Sequence, residues 1–294
     1  MEKKIGIFNL IPYIPFSKQG KYNGEYSIIL FAGIATSFTD WNYMKDDEYF
    51  EKILKKYPLD VKYPNIDFQK KLSLFTETFA FTRPTDFAIL NEGNQDFVAE
   101  YEEMIPKNYS SFVFELLKFH NVKPPYILIG NSHGCVDATA FSFYYKNSIH
   151  SLFLLDNTNF NYERKFDKVA SIIYGEILDK NNWRYSIPSK PNNKKELEQY
   201  NIDIKSKAFF DNFPLWKLDK PIFLIWSDSI NREDEKYFQE IVSIKNNFSK
   251  ELEIYNNMVI IKWVDAPHQP YHTISSEIAI YIINSIILID KELF

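Results

Sequence analysis

Pro124-Pro125-Tyr126-Ile127-Leu128-Ile129-Gly130-Asn131-Ser132-His133-Gly134-Cys135 is the stretch from which the rest of this chain can be read. The two prolines block a helix on its near side, and the apolar residues that follow fit a short strand covered on both faces. From Val136 through Tyr145 the pattern turns helical. Between strand and helix stands Ser132, with Gly130 and Gly134 two residues away on either side. A serine exposed on a sharp, strained turn needs neighbours without Cβ atoms, because the strand and the helix crowd both glycine positions. The chain has only 8 glycines in 294 residues, so two within five positions point to a backbone requirement rather than loop filler.

That strand–serine–helix arrangement is a nucleophile elbow. The plainer alternative is a strand-to-helix turn with a serine N-cap. Acyl-transfer chemistry further requires a base, an acid and an oxyanion pocket elsewhere in the chain.

Composition narrows the setting. Hydrophobic residues make up 45% and aromatics 17%, enough for a sizeable core, and 294 residues suit one large α/β domain with an insertion or two smaller domains. With 34 basic against 39 acidic residues and a net charge of -5, no basic patch suggests a nucleic-acid partner. Motifs for nucleotide, metal or other cofactor binding are absent, so none is expected. The single cysteine, Cys135, excludes an internal disulfide and suits a reducing compartment. Met1-Glu2-Lys3-Lys4 and the proline-broken run after it make a poor secretory signal, and Ile278 to Ile289 is too short to span a bilayer. A cytoplasmic protein with no membrane span is the expectation. Nothing in the sequence signals an oligomeric state.

Taken in order, Lys4 to Ile11 and Tyr26 to Phe31 read as strands, the second leading into Ala32-Gly33-Ile34, a small-residue turn that can bring backbone N–H groups near a ligand. Asp46 to Lys56 reads as an amphipathic helix, Leu72 to Phe81 as a strand and Tyr109 to His120 as a helix. Ser151 to Leu155, Pro221 to Trp226 and Met258 to Val264 are further buried strands, and a last helix begins near Thr273 to Glu277. Strands alternating with helices predict a doubly wound, mostly parallel sheet. Residues 157–219 break the rhythm and read as an inserted helical cap, which leaves 1–156 and 220–294 as the core.

In such a sheet the loops after the strands share one edge, so Ser132, Asp156, Asp228 and His268 can converge there. An activated serine needs a base, and the base needs an orienting acid. The order Ser…Asp…His, with Leu30-Phe31-Ala32-Gly33 through Trp41, Thr82-Arg83-Pro84, the elbow, Pro221 to Asp228 and Ala266-Pro267-His268, resembles the α/β-hydrolase superfamily over nearly the whole chain. The resemblance implies Ser132 as nucleophile, His268 as general base and Asp228 as acid, with an oxyanion hole from the N–H groups of Ile34 and His133. Each such donor is worth roughly 10²–10³ in rate. Departures from the family pattern are Ala32 where a histidine is usual, Cys135 where a second glycine is frequent, and an acid that comes early, with Ile230 or Asn231 at the expected place. Asp156 is therefore a rival acid, with Glu233 and Asp234 behind it.

His268 and His272 stand four apart, a spacing that on a helix would suggest a metal pair, but Pro267 and Pro270 oppose a helix. His272 reads as pocket lining or surface, His120 and His150 as structural. The implied partner is a small-molecule acyl substrate and the implied reaction the hydrolysis of a carboxylic ester. Amide cleavage of the proline-iminopeptidase type is one alternative. A catalytically inactive protein that binds a ligand or partner in the same pocket is the other. Dehalogenase and epoxide-hydrolase chemistry would place Asp at position 132.

Overall fold

A computed structural model describes residues 7–33, 38–42, 68–84, 106–156, 218–227, 258–266, 269–272 and 274–291, with 242–243, 245–247, 249–250 and 252–253. The predicted cap and the predicted helix over Asp46 to Lys56 lie outside these residues. Seven strands form one sheet: β1 (Phe16–Gln19), β2 (Ser27–Phe31), β3 (Thr78–Phe81), β4 (Tyr126–Asn131), β5 (Ile149–Leu155), β6 (Ile222–Ser227) and β7 (Val259–Val264). Their order is β1-β3-β2-β4-β5-β6-β7. β1 runs antiparallel to β3, and every other pairing is parallel.

Alternate residues of each central strand feed opposite cores, as a pleat buried on both faces requires. In β4, Tyr126 and Leu128 pack with helices α2 (Pro106–Phe119) and α3 (Gly134–Tyr144) through Phe112, Leu116, Ala138 and Phe141. Ile127 and Ile129 face the other way, onto α1 (Phe68–Ser73) and α4 (Ser275–Asp290) through Phe68, Leu72, Ile278 and Ile282. Each of these large side chains stabilises the fold by roughly 1.5–3 kcal/mol. Helices on both faces of a mostly parallel sheet make the doubly wound arrangement expected from the sequence. Among the described residues no helix is long and apolar enough to cross a membrane.

Two elements differ from expectation. The predicted strand over Lys4 to Ile11 is, from Ile7 to Tyr13, a 3-10 helix. Its buried residues are Ile7, Leu10 and Ile11, a helical spacing that does not alternate as a strand would. The predicted strand from Leu72 starts only at Thr78, because Leu72 belongs to α1, where it and Phe68 face the core at a four-residue interval. The true edge strand, β1, was not predicted. It is four residues long between Pro15 and Gly20, with alternating half-burial.

His120 follows α2 and lies between Phe16, Phe79 and Phe119, with ring centroids at 3.9, 5.2 and 5.0 Å. Burial, assisted by the Lys18 ammonium, lowers its pKa below the ordinary histidine value. A histidine depressed in the folded state contributes stability that is complete above the unfolded value, about 6.5, and lost as pH falls through the lowered one. Denaturation at about pH 7.5 and about pH 5.5 checks this: the wild type is expected to lose more stability between them than His120→Phe does.

Candidate active site

The parallel strands all end at one edge, and Ser132 and Asp156 directly follow β4 and β5 there. β4 ends at Asn131, and the next residue, Ser132, has φ 52, a left-handed conformation for a non-glycine residue. Such a backbone persists only where its surroundings hold it. Three bonds do so here: the Ser132 N–H donates to Leu155 O at 3.2 Å, Asn131 Nδ2 donates to the same carbonyl at 3.0 Å, and the Cys135 N–H donates to Ser132 O at 3.1 Å. The glycines behave as the motif demands. A Cβ on Gly130 would lie 2.6 Å from Gly134 O, and one on Gly134 only 2.0 Å from Phe31 O. No side chain of any kind fits at either position without the backbone moving.

Gly33, at the end of β2, closes on the serine from the other side. A Cβ there would stand 3.4 Å from Ser132 Cβ and 3.8 Å from its Oγ. Gly33 thus lies close enough to Ser132 that a methyl group there would be in contact with its side chain. Ile34 itself lies outside the described residues, as do Asp228 and His268. Of the predicted five, the structure describes Ser132 and His133, and one immediate neighbour of each of the other three: Gly33, Ser227 and Gln269.

His133 opens α3, with its ring 23% exposed. Burial, reinforced by the Arg83 guanidinium, holds its pKa well below the ordinary value, so the ring is neutral near pH 7. Arg83, just past β3, pairs through Nε with Asp137 Oδ2 at 3.1 Å and lies over the Tyr109 ring at 5.5 Å. This ion pair ties the end of β3 to the first turn of α3, where a carboxylate also suits the helix N-terminus. Cys135 is fully buried, and burial beside Asp156 raises its thiol well above the usual range. It is a packed thiol with no thiolate character.

Asp156, the rival acid, follows β5 with φ 44. Its Oδ1 accepts from the Ser227 N–H at 3.2 Å and from Lys245 Nζ at 2.5 Å, and Lys245 also donates to Ser227 O at 2.9 Å. Asp156 and Lys245 are each 3% exposed. The ammonium lies over the rings of Trp226 and Trp263, at 5.3 and 5.8 Å. This carboxylate therefore has a place in holding the end of β6, directly before residue 228. No local sequence pattern announces a pairing of residues 89 apart.

A second cluster was also missed. The short 3-10 helix Phe38–Asn42 carries Asp40, whose carboxylate accepts from the Tyr271 hydroxyl through Oδ2. His272 Nε2 lies 3.1 Å from Asp40 O and 3.2 Å from Asp40 Oδ1. Both are acceptors, so Nε2 carries the proton. His272, expected as pocket lining or surface, is 3% exposed and bonded, so it is not a surface residue. Pro270–His272 form a single 3-10 turn, in keeping with the prolines, and among the described residues no cluster could hold a metal ion.

No family model and no curated protein matches the chain in sequence. Solved structures do match in shape. ALR0039 of Nostoc sp PCC 7120, assigned as an alpha/beta hydrolase, is 13% identical with a TM-score of 0.56, covering 92% of this chain and 93% of its own. A structure reported for carboxylesterases of the thaumarchaeon Nitrososphaera gargenis is 10% identical at a TM-score of 0.54, covering 95% and 96%. An AqdC variant, reported to recognise the Pseudomonas quinolone signal and cleave its ring, is 12% identical at 0.54, covering 93% and 95%. At such identities the likeness bears on fold alone. With its sheet order, its helices on both faces and its strained serine turn after β4, the chain adopts the α/β-hydrolase fold.

Proposed function

We propose that this protein is a serine hydrolase that cleaves carboxylic esters of small or medium acyl substrates. The observation that carries the reading is Ser132, left-handed at the turn between β4 and α3, with Gly33 so near that an added Cβ would stand 3.4 Å from its Cβ. Ser132 Oγ attacks the acyl carbonyl, and His268 takes its proton and passes it to the leaving alkoxide. Water activated by His268 then releases the acid from the acyl-enzyme. The backbone N–H groups of Ile34 and His133 stabilise the oxyanion. Asp228 orients the imidazole, a reading supported by Asp156 being engaged with Lys245 and Ser227. Residues 157–219 form the cap that selects the acyl group in a cytoplasmic enzyme.

A panel of p-nitrophenyl esters and aminoacyl-arylamides tests the substrate class. Turnover of short and medium esters well above any arylamide is expected. Arylamide turnover in excess of ester turnover would instead favour the proline-iminopeptidase type, and no turnover in either series would favour a binding protein.

A further inference from the structure

The Tyr271 hydroxyl reaches two other segments of the chain at once. It donates to Asp40, in the 3-10 helix Phe38–Asn42, and lies 3.3 Å from Oδ1 of Asn131, the residue before Ser132. A hydroxyl has one proton, and the charged acceptor takes it more strongly, so Asn131 is the weaker second acceptor. Asn131 cannot turn its amide round to donate instead, because its Nδ2 is committed to Leu155 O. Tyr271 is fully buried, its ring 4.3 Å from that of Trp41 and 5.5 Å from that of Phe68. The next residue, His272, holds the same Asp40.

All of this lies just past Pro267 and His268. The chain on both sides of that dipeptide is pinned: the Ala266 N–H donates to Val264 O at 3.0 Å, and the His272 N–H to Gln269 O at 3.0 Å. The 3-10 helix carrying Asp40, the end of β4 and the turn Pro270–His272 are thereby joined through one hydroxyl and one carboxylate. Buried as it is, that hydroxyl touches no substrate.

We propose that Tyr271 and Asp40 are positioning residues for the reaction, a clasp that sets the loop bearing His268 against Ser132 and the turn after Gly33. The proposal rests on the reading of Ser132 as nucleophile and His268 as base. Misplacement of a base by an ångström is enough to lower a rate on the order of 10²-fold while leaving substrate binding intact. Packing alone predicts otherwise, since Tyr271→Phe keeps the ring and its aromatic contacts.

The test compares wild type, Tyr271→Phe, Asp40→Asn and Asp40→Ala on p-nitrophenyl butyrate, with thermal unfolding measured alongside. Tyr271→Phe is expected to lose about 10- to 100-fold in kcat with KM within about twofold of wild type. Asp40→Asn, which keeps one acceptor oxygen for the hydroxyl but sets its NH2 toward His272 Nε2, is expected to recover part of what Asp40→Ala loses. Should Tyr271→Phe not fold, the two Asp40 variants read the same clasp through kcat. A kcat for Tyr271→Phe within about twofold of wild type, or equal losses in Asp40→Asn and Asp40→Ala, overturns the clasp while the hydrolase reading stands. A wild type that turns over no ester and takes no fluorophosphonate overturns the nucleophile reading, and the clasp with it.

Discussion

Ser132→Ala is expected to lower kcat for ester hydrolysis by about 10⁴- to 10⁶-fold with little change in folding. The size follows from what the oxygen does. Without Oγ no acyl-enzyme forms, and the imidazole has no proton to take, so the remaining acceleration comes from binding and the oxyanion donors alone. Folding should survive because Ser132 is held by its backbone: its N–H bonds to Leu155 O and its carbonyl receives the Cys135 N–H. Alanine keeps both. The left-handed φ of 52 costs a non-glycine residue on the order of 1–3 kcal/mol, and serine already bears that cost. A stopped rate in a protein of unchanged unfolding temperature is therefore the expected result. A loss of less than about tenfold would mean that another group does the chemistry.

The second large effect concerns stability. Lys245→Met is expected to destabilise the protein by about 3–5 kcal/mol, the usual consequence of stripping one partner from a buried ion pair. Asp156 is 3% exposed and receives Lys245 on the same oxygen as the Ser227 N–H. Without the ammonium, a carboxylate stays charged in a dry site or takes up a proton, and either outcome costs stability. Adding Asp156→Asn to Lys245→Met should recover a good part of the loss. The amide is uncharged, still accepts from Ser227, and tolerates the left-handed backbone at φ 44. Urea unfolding of the three variants measures this. A single-variant loss below about 1 kcal/mol would place the pair with ordinary surface ion pairs.

The two features differ in how far the sequence announced them. The elbow was legible because each of its demands is local: a strand, a serine, and glycines where a Cβ would meet Gly134 O or Phe31 O. The central strands were legible for the same reason, since burial on both faces leaves continuous apolar runs. The failures have physical causes as well. Ile7, Leu10 and Ile11 form an apolar cluster beside prolines, and over five residues a helical spacing is hard to tell from a strand. β1 is too short to show a period. Lys245 with Asp156, and Tyr271 with Asp40 and Asn131, are pairings made only by the fold, between residues 89, 231 and 140 positions apart. A single sequence has no local mark for such contacts. The strand order read from the sequence predicts both Asp156 and Asp228 at one edge, but the lysine that faces Asp156 has no such mark.

Covalent labelling checks the assignment of Ser132 as an activated nucleophile. Native protein would be treated with a fluorophosphonate, digested, and the adduct located by mass spectrometry. The adduct is expected on the peptide containing Ser132, formed in proportion to the loss of esterase activity and absent from Ser132→Ala. Folded wild-type protein left unlabelled, or labelled equally in Ser132→Ala, would contradict it.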